Sequence, residues 1–117
     1  MGTPYARAVI QGQVYWTYFE PGKGHEQHGR RPVVVVSGSE LNQSETGLVW
    51  VVPVTTRDRN WETHLRLKGP LGLTEECFAM TEQLRCVSRG RLKRLSGAVS
   101  EESLSSLLRW LQNFLAP

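Results

Sequence analysis

The sequence predicts a mainly β domain of the α+β class, a small curled sheet or barrel of short antiparallel strands followed by one C-terminal helix. Short runs of β-branched and aromatic residues recur between Gly, Pro and polar segments, which is typical of such sheets. Only the last segment has apolar residues at helical spacing. At 117 residues the chain is long enough for one core but not two, so we expect a single domain over residues 1–117.

The first half of the chain is expected to supply the central strands. Residues 1–11 show few periodic signals and are expected to form a tail or a loose lead-in strand. Strands are predicted at residues 13–19, 32–37 and 48–56, with polar loops at 20–31 and 38–47. The second and third strands are apolar on both faces, as buried central strands are. Pro53 cannot donate a hydrogen bond to a neighbouring strand, so we expect a bulge or a free edge there.

The second half is expected to add short strands and the helix. A polar loop is predicted at 57–62, strands at 63–67, 76–80, 84–88 and 91–95, a turn at 69–72, and the helix at 100–115. Ser100 is a good N-cap, and Glu101 and Glu102 place negative charge at the positive end of the helix dipole. A leucine stripe follows and is expected to face the core: Leu104, Leu107, Leu108, Leu111 and Leu115.

The charge of the chain favours an anionic partner. The net charge is +3 and the isoelectric point is about 9.2. The basic residues are clustered: Arg30 and Arg31 precede one predicted strand, Arg57 and Arg59 follow another, and residues 89–94 form a basic patch. A solvated turn explains this patch as well as a nucleic-acid contact does.

Cysteine usage and hydropathy predict a cytoplasmic protein with no metal. Cys77 and Cys86 do not make a disulfide framework, and the histidines lack zinc-ligand spacing to them. No apolar stretch approaches the roughly 20 residues that span a bilayer, and the N-terminus lacks the apolar core of a signal peptide. We therefore expect no membrane association.

The segment at 20–31 carries the residues best suited to bind an anion. Its glycines and proline exclude regular structure in most of the segment. Arg31 precedes Pro32, which favours extended geometry, so the core anchors the base of Arg31 while its guanidinium leaves the strand end. His25 could act as a base near neutral pH, although an ordinary surface histidine is the simpler interpretation.

Five blocks of the sequence resemble the MazF/PemK (Kid) family of bacterial toxins, in the family's order and at its approximate spacing. The blocks are Gly12–Trp16, Pro21–Gln27, Arg31–Ser37, Val52–Thr56 and Glu82–Arg85. The most specific feature is Gly-x-Glu-Gln followed by Arg-Pro and a valine-rich strand. The similarity covers residues 12–115, whereas the loop at 57–62 has no clear match in the family pattern.

The resemblance implies a toxin of a type II toxin–antitoxin system on an SH3-like β-barrel, active as a homodimer. It implies inhibition by a MazE-like antitoxin through an acidic flexible segment. It also implies a sequence-selective, metal-independent endoribonuclease that cuts single-stranded RNA, such as mRNA, with no cofactor. The RNA's own 2′-hydroxyl attacks the phosphate and leaves a 2′,3′-cyclic phosphate and a 5′-hydroxyl.

The family's catalytic arginine falls on Arg31 and its catalytic threonine on Thr55. A guanidinium and a hydroxyl are suited to the negative charge that builds up on a phosphorane. The resemblance alone implies acid/base work by Arg31. Glu26 is physically better suited to accept the 2′-hydroxyl proton, because arginine keeps its proton far above neutral pH. The residues expected to bind the RNA are His25, Gln27, Arg30, Thr56, Arg57, Gln83 and Arg85.

Two other functions remain open from the sequence. One is a non-enzymatic toxin on the same barrel, similar to the gyrase poison CcdB. That family acts through a C-terminal Trp-Gly-Ile, whereas this chain ends in Phe-Leu-Ala-Pro. The other is a nucleic-acid-binding module without catalysis.

Overall fold

The structure, a computed structural model, describes residues 8–19 and 29–117. In that part of the chain the strands are β1 (Gln13–Phe19), β2 (Gly29–Val35), β3 (Leu48–Thr55), β4 (His64–Leu67), β5 (Cys77–Met80), β6 (Arg85–Ser88) and β7 (Leu92–Ala98). The helices are α1 (Ser39–Asn42) and α2 (Glu101–Leu115), and single 3₁₀ turns lie at Thr81–Gln83 and Arg89–Arg91. None of these helices is long and apolar enough to cross a membrane.

The strands pair antiparallel around a central β3. Across the sheet the order is β4, β5, β3, β2, β1 and β7, and β6 pairs with the first half of β3. The pairing of β1 with β7 shifts register between Val14 and Tyr15 and again between Trp16 and Thr17. Register shifts of this kind increase the local twist, so the sheet curls. The predicted mainly β fold with a C-terminal helix is confirmed.

Pro53 lies where one edge of β3 changes partner. On one side, Val33 of β2 is opposite Pro53. On the other side, β6 pairs with the residues before Pro53, and β5 pairs with Val54 and Thr55. A residue without an N–H is tolerated between two partner strands, because no continuous ladder runs past it. The irregularity predicted at Pro53 is this change of partner.

Apolar side chains pack on both faces of the curled sheet. On one face, valines from β1, β2 and β3 pack with α2, whose Leu107 and Leu111 are buried. On the other face, Tyr15 packs with alternate valines of β2 and β3. Full burial of a leucine side chain contributes about 1.5–3 kcal/mol, so α2 is held by its packing on the sheet.

Helix α2 begins as predicted but its last leucine does not reach the core. The Ser103 N–H donates to Ser100 Oγ at 3.1 Å, which is the expected N-cap bond. Leu104 and Leu108 are partly buried beside the core, whereas Leu115 is 82 % exposed. The prediction that Leu115 completes the buried stripe is therefore wrong, because the helix runs past the edge of the sheet.

Two predicted boundaries in the first half are also wrong. The segment 38–47 is not entirely loop, since it contains α1, whose buried Asn42 hydrogen-bonds the side chain and the carbonyl of Ser37. Strand β2 begins at Gly29 rather than at residue 32. Its first residues are extended because they pair with the end of β1, with Arg31 opposite Thr17.

The lead-in predicted over residues 1–11 is described only from residue 8 onward. Residues 8–11 form no strand. Val9 is nevertheless buried, and Gln11 Nε2 donates to the carbonyl of Val36 at 2.9 Å. These contacts fix the entry into β1.

The turn at residues 69–72 is pressed against the junction of β7 and α2. The Ala98 N–H donates to the carbonyl of Pro70 at 3.0 Å, and Ser96 Oγ donates to the carbonyl of Leu71 at 2.8 Å. Gly72 has φ of +77°, and a Cβ there would clash with the backbone of Ser96. This packing fixes the connection from β4 to β5 beside the end of β3.

Candidate active site

Arg31 and Thr55 line the same cavity at one end of the sheet. Arg31 lies near the start of β2, and Thr55 ends β3. Because the two strands are antiparallel, with Val33 opposite Pro53, these ends lie side by side. The cavity has a volume of about 370 Å³. The sequence predicted both residues, and the structure brings them together.

Arg31 is fixed at its base by the sheet. Its side chain is partly buried, and Nη1 donates to the carbonyl of Val54 at 3.3 Å. Burial lowers the pKa of Arg31 from its ordinary value. A guanidinium that is held in this way presents its remaining N–H groups in a planar fork, which suits two oxygens of one phosphate.

The Thr55 hydroxyl already accepts one hydrogen bond from the protein backbone. The Arg57 N–H donates to Thr55 Oγ1 at 3.1 Å. The backbone of Thr55 pairs with Phe78 of β5, which fixes the threonine at the cavity wall. Because Oγ1 accepts from the protein, its own proton remains for a ligand oxygen.

Arg30 and Trp16 line another part of the cavity, where Arg30 adds a second positive charge. The Arg30 guanidinium lies 5.2 Å from the centre of the Trp16 ring, within cation–π range. The buried Trp16 Nε1 has no hydrogen-bond partner within residues 8–19 and 29–117. The structure places the Trp16 ring on the cavity wall.

The other predicted residues divide into three groups. Thr56 also lines the cavity. Arg57, Gln83 and Arg85 are exposed but are not among the described cavity residues; Gln83 Nε2 contacts the sulfur of Met80 at 3.8 Å. The remaining predicted residues lie outside the part of the chain that the structure describes: His25, Glu26 and Gln27.

One wall of the cavity was missed by the sequence analysis. Gly72, Leu73, Thr74 and Glu75 form it, together with Cys77 at the start of β5. The Gly-Pro-Leu-Gly sequence at 69–72 predicted a chain reversal. It did not indicate that the residues after the reversal would lie beside the end of β3. Burial, and then the neighbouring Glu76, raise the pKa of the Cys77 thiol, which therefore stays protonated and is not a nucleophile.

The basic patch at 89–94 is partly structural. Arg89 Nη1 donates to the carbonyls of Asn42 (2.6 Å) and Ser44 (3.3 Å). Arg91 Nη1 donates to the carbonyl of Tyr18 at 3.1 Å. These two arginines hold neighbouring backbone segments together, so this part of the patch has a structural role.

A polar cluster that the sequence analysis did not identify joins β4 to the Thr81–Gln83 turn. His64 is buried, and its Nε2 lies 2.9 Å from Glu82 Oε2. Burial acts to raise the pKa of Glu82. The hydrogen bonds from the His64 and Thr63 side chains and from its own backbone outweigh burial, so the pKa lies below its ordinary value. The described residues contain no group of three or more His, Cys, Asp or Glu side chains placed to hold a metal ion.

Comparisons with known proteins match almost the whole described chain. A family model described as "PemK-like, MazF-like toxin of type II toxin-antitoxin system" matches residues 10–115. The chain is 33 % identical over 103 residues to Endoribonuclease MazF9 of Mycobacterium tuberculosis, covering 83 % of this chain and 87 % of that protein. It is 33 % identical over 94 residues to Endoribonuclease toxin MazF of Escherichia coli K12, covering 80 % and 81 %.

Solved structures of similar proteins share the fold. The chain is similar to MazF of Deinococcus radiodurans with a TM-score of 0.76 and 28 % identity, covering 93 % of this chain and 97 % of that one. A chain of the MazE–MazF structure (Form-II) from the same organism is 30 % identical with a TM-score of 0.75, covering 93 % and 96 %.

Proposed function

Because this chain belongs to the PemK-like, MazF-like toxins of type II toxin–antitoxin systems, we propose that it cuts single-stranded RNA, such as mRNA, at selected sequences. The predicted family and the predicted enzyme class, an endoribonuclease, are confirmed by the family match and the relatives. A gyrase-poison-like toxin and a non-catalytic binding module gain no support from either. The observation that carries the proposed reaction is that Arg31 and Thr55 line one cavity.

The proposed reaction uses the RNA's own 2′-hydroxyl and no metal. Its oxygen attacks the adjacent phosphorus, the bond from phosphorus to the 5′-oxygen breaks, and the products are a 2′,3′-cyclic phosphate and a 5′-hydroxyl. Negative charge builds up on the phosphorane oxygens. The Arg31 fork and the Thr55 hydroxyl proton are the groups at this cavity that stabilise it.

Proton transfer is assigned to Glu26 rather than to Arg31. The burial of Arg31 lowers its pKa, but from an ordinary value so high that charge stabilisation remains its natural role. A carboxylate accepts the 2′-hydroxyl proton more readily. The departing 5′-oxygen takes up a proton from water, and His25 is the alternative base for the 2′-hydroxyl.

The RNA strand is proposed to follow the cationic surface around the cavity. The Trp16 ring, with Arg30 over it, offers a stacking surface beside the scissile phosphate. Thr56 lines the cavity after the end of β3, and Arg57 follows it outside the cavity. Gln27, Gln83 and Arg85 are proposed to contact flanking nucleotides. Because mRNA is the substrate and both cysteines are free thiols, we assign the activity to the cytoplasm.

A cognate antitoxin is implied by membership of the family. The structural neighbours include MazE–MazF complexes. We propose a MazE-like partner whose acidic flexible segment orders on binding and occupies the RNA surface around Arg30, Arg31 and Arg57. Screened surface charges contribute only about 0–1 kcal/mol per pair, so apolar anchors must supply much of the affinity.

The proposed catalytic pair is tested by Arg31→Ala and Thr55→Val in an RNA cleavage assay. Removal of one oxyanion-type donor costs about 10²–10³ in rate, so each variant should lose at least that much activity while remaining folded. Arg31→Lys should recover only part of the loss, because a point charge cannot bind two phosphate oxygens in a fork.

Matched controls are Arg109→Ala, an exposed arginine on α2, and Thr46→Val, an exposed threonine before β3. Both should retain wild-type rates. Either catalytic variant cutting RNA at the wild-type rate would rule out the assignment of that residue.

A further inference from the structure

The loop between β3 and β4 has a defined conformation that fixes the position of Trp61. The Asn60 N–H donates to Asp58 Oδ1 at 2.9 Å, and Asn60 has φ of +58°, which closes a tight turn. The His64 N–H then donates to the carbonyl of Trp61 at 3.1 Å. Two successive turns therefore set the direction in which the indole leaves the backbone.

The end of the loop also contacts the Thr81–Gln83 turn. The centres of the Trp61 and His64 rings are 4.9 Å apart, at 50° to each other. Buried His64 reaches Glu82 at 2.9 Å. In addition, the carbonyl of Thr63 accepts from both the N–H (3.1 Å) and the hydroxyl (2.5 Å) of Thr81. The Trp61 ring therefore packs against the ring of the buried His64 and does not stand free at the tip of an open loop.

Half of the Trp61 surface nevertheless faces water, and a cation lies against its ring. The side chain is 50 % exposed. The guanidinium of the exposed Arg59 lies 5.2 Å from the ring centre. A rigid, half-exposed indole beside an arginine is the composition of the stacking sites that bind single-stranded nucleic acids.

The loop connects two parts of the proposed RNA surface. It starts at Thr56, on the cavity wall, and its far end is held on the turn that carries Gln83. An RNA strand with a phosphate between Arg31 and Thr55 can therefore continue past this loop toward Gln83. The basic residues of the loop, Arg57 and Arg59, add positive charge along that path.

We propose that Trp61, supported by His64 and flanked by Arg59, is a stacking platform for one base that flanks the cleaved phosphate of the RNA. This inference rests on the proposed function. The base takes the place of the Arg59 guanidinium over the ring, and Arg59 then pairs with a neighbouring phosphate. Because every base has a π-face, the platform adds affinity at one position of the strand more than it selects a particular base.

The test begins with the wild-type protein and a long RNA, to locate preferred cut sites. A short RNA around one site is then made with a 2′-deoxy nucleotide at the cut position, so that it binds without being cleaved. In a series of such RNAs, 2-aminopurine replaces one flanking base at a time, and its fluorescence reports stacking. In a second series, an abasic nucleotide replaces the same bases.

One flanking position should show quenched 2-aminopurine fluorescence that is lost in Trp61→Leu and kept in Trp61→Phe. Trp61→Leu should weaken RNA binding about 5- to 150-fold, the range expected for loss of one stacked base. The abasic RNA should show the same loss with wild-type protein and no further loss with Trp61→Leu. Phe114→Ala, which removes an exposed aromatic from α2, and Arg109→Ala should bind as wild type does.

Additive losses from the abasic nucleotide and Trp61→Leu would overturn the platform, while wild-type cleavage in the same assay would leave the proposed function standing. A folded Trp61→Leu that binds and cuts RNA normally but escapes inhibition by the antitoxin would reassign the surface to that partner. If the wild-type protein cuts no RNA, the proposed function fails and this inference fails with it.

Discussion

At the scale of single residues, two different backbone groups hold Arg31 and Thr55 in place at the cavity. Arg31 is anchored through its own Nη1 to the carbonyl of Val54, whereas Thr55 is oriented by the N–H of Arg57. Both anchors are backbone groups, one in the last residues of β3 and one just after it. The two donors therefore keep their relative geometry before any substrate arrives, which is what charge stabilisation in a transition state requires.

His64 and Glu82 form the other residue pair with a measurable consequence. The folded-state pKa of Glu82 lies below its ordinary value, so Glu82 binds a proton less readily when folded than when unfolded. The pair therefore stabilises the fold fully above the unfolded-state pKa of about 4.3. This contribution disappears as the pH falls through the lower folded-state pKa.

Glu82→Gln should accordingly lower the urea midpoint near neutral pH, and the difference from wild type should shrink as the pH falls below about 4. Equilibrium urea unfolding over a pH series measures it. Glu45→Gln, an exposed carboxylate, should show no such pH-dependent difference. If the urea midpoint of Glu82→Gln stays below that of wild type by the same amount at every pH down to well below about 4, the argument is contradicted.

Candidate site residues could be named from the sequence only where the chain carries a recognisable block. Arg31 and Thr55 stand in such blocks, and they line one cavity. Trp61 stands in the loop at 57–62, which has no clear match, and the contact of its ring with His64 at the start of β4 depends on two successive turns. Glu82 lies 18 residues after His64 and reaches it only through the pairing of β4 with β5 and the Thr81–Gln83 turn. Spacing along the sequence does not reveal a contact of that kind.

At the scale of elements, the connection from β4 to β5 matters most to the site. Its turn is held against β7 and the start of α2 by backbone carbonyls of Lys68, Pro70 and Leu71. The residues after it, 72–75, are a wall of the cavity. The core and the candidate active site are therefore coupled through this turn.

Gly72→Ala should destabilise the protein by about 2 kcal/mol or more and also lower RNA cleavage. The left-handed φ alone costs a non-glycine residue about 1–2 kcal/mol, and the clash with the backbone of Ser96 adds to that. Urea unfolding and a cleavage assay on the same sample measure the two effects.

The control is Gly38→Ala, since a Cβ at Gly38 would meet open space and the backbone there is extended. It should change stability by less than about 1 kcal/mol. Wild-type stability in Gly72→Ala would show that the turn adjusts freely and does not fix the wall.

Elements were predictable to the extent that their signal is local. β1 and β3 follow from β-branched and aromatic runs, and α2 from its cap and its periodic leucines. The start of β2 at Gly29 was not predictable, because these residues are extended only by pairing with β1. Helix α1 has four residues, too few for a periodic pattern, and depends on the buried contact of Asn42 with Ser37.

At the scale of the whole molecule, the outer face of β3 and β6 is exposed and apolar. Leu48 and Trp50 are 39 % and 43 % exposed, and Trp50 lies directly opposite Cys86 on the same face of the sheet. Tryptophan is enriched in protein interfaces and depleted on free surfaces. A two-fold pairing would cover this face with its own copy. We propose that this is the surface of the homodimer that the family resemblance implies.

Sedimentation of the wild-type protein at micromolar concentration should therefore give a dimer, and Trp50→Glu should give a monomer or a much weaker dimer. The introduced carboxylate would be buried in an apolar interface without a partner charge. Phe114→Glu, an equally exposed aromatic on α2, should remain dimeric. A wild-type monomer with full activity would refute both the dimer and its surface.

The central claim is that Arg31 and Thr55, and not a metal, stabilise the phosphorane that forms when the RNA's own 2′-hydroxyl attacks. The measurement is the chemistry of the cut ends after incubation of the pure protein with a long RNA in EDTA. We expect cleavage at a small set of sequences, with 2′,3′-cyclic phosphate and 5′-hydroxyl ends at each. Cleavage only after a divalent ion is added, or ends bearing 3′-hydroxyl and 5′-phosphate groups, would contradict the account.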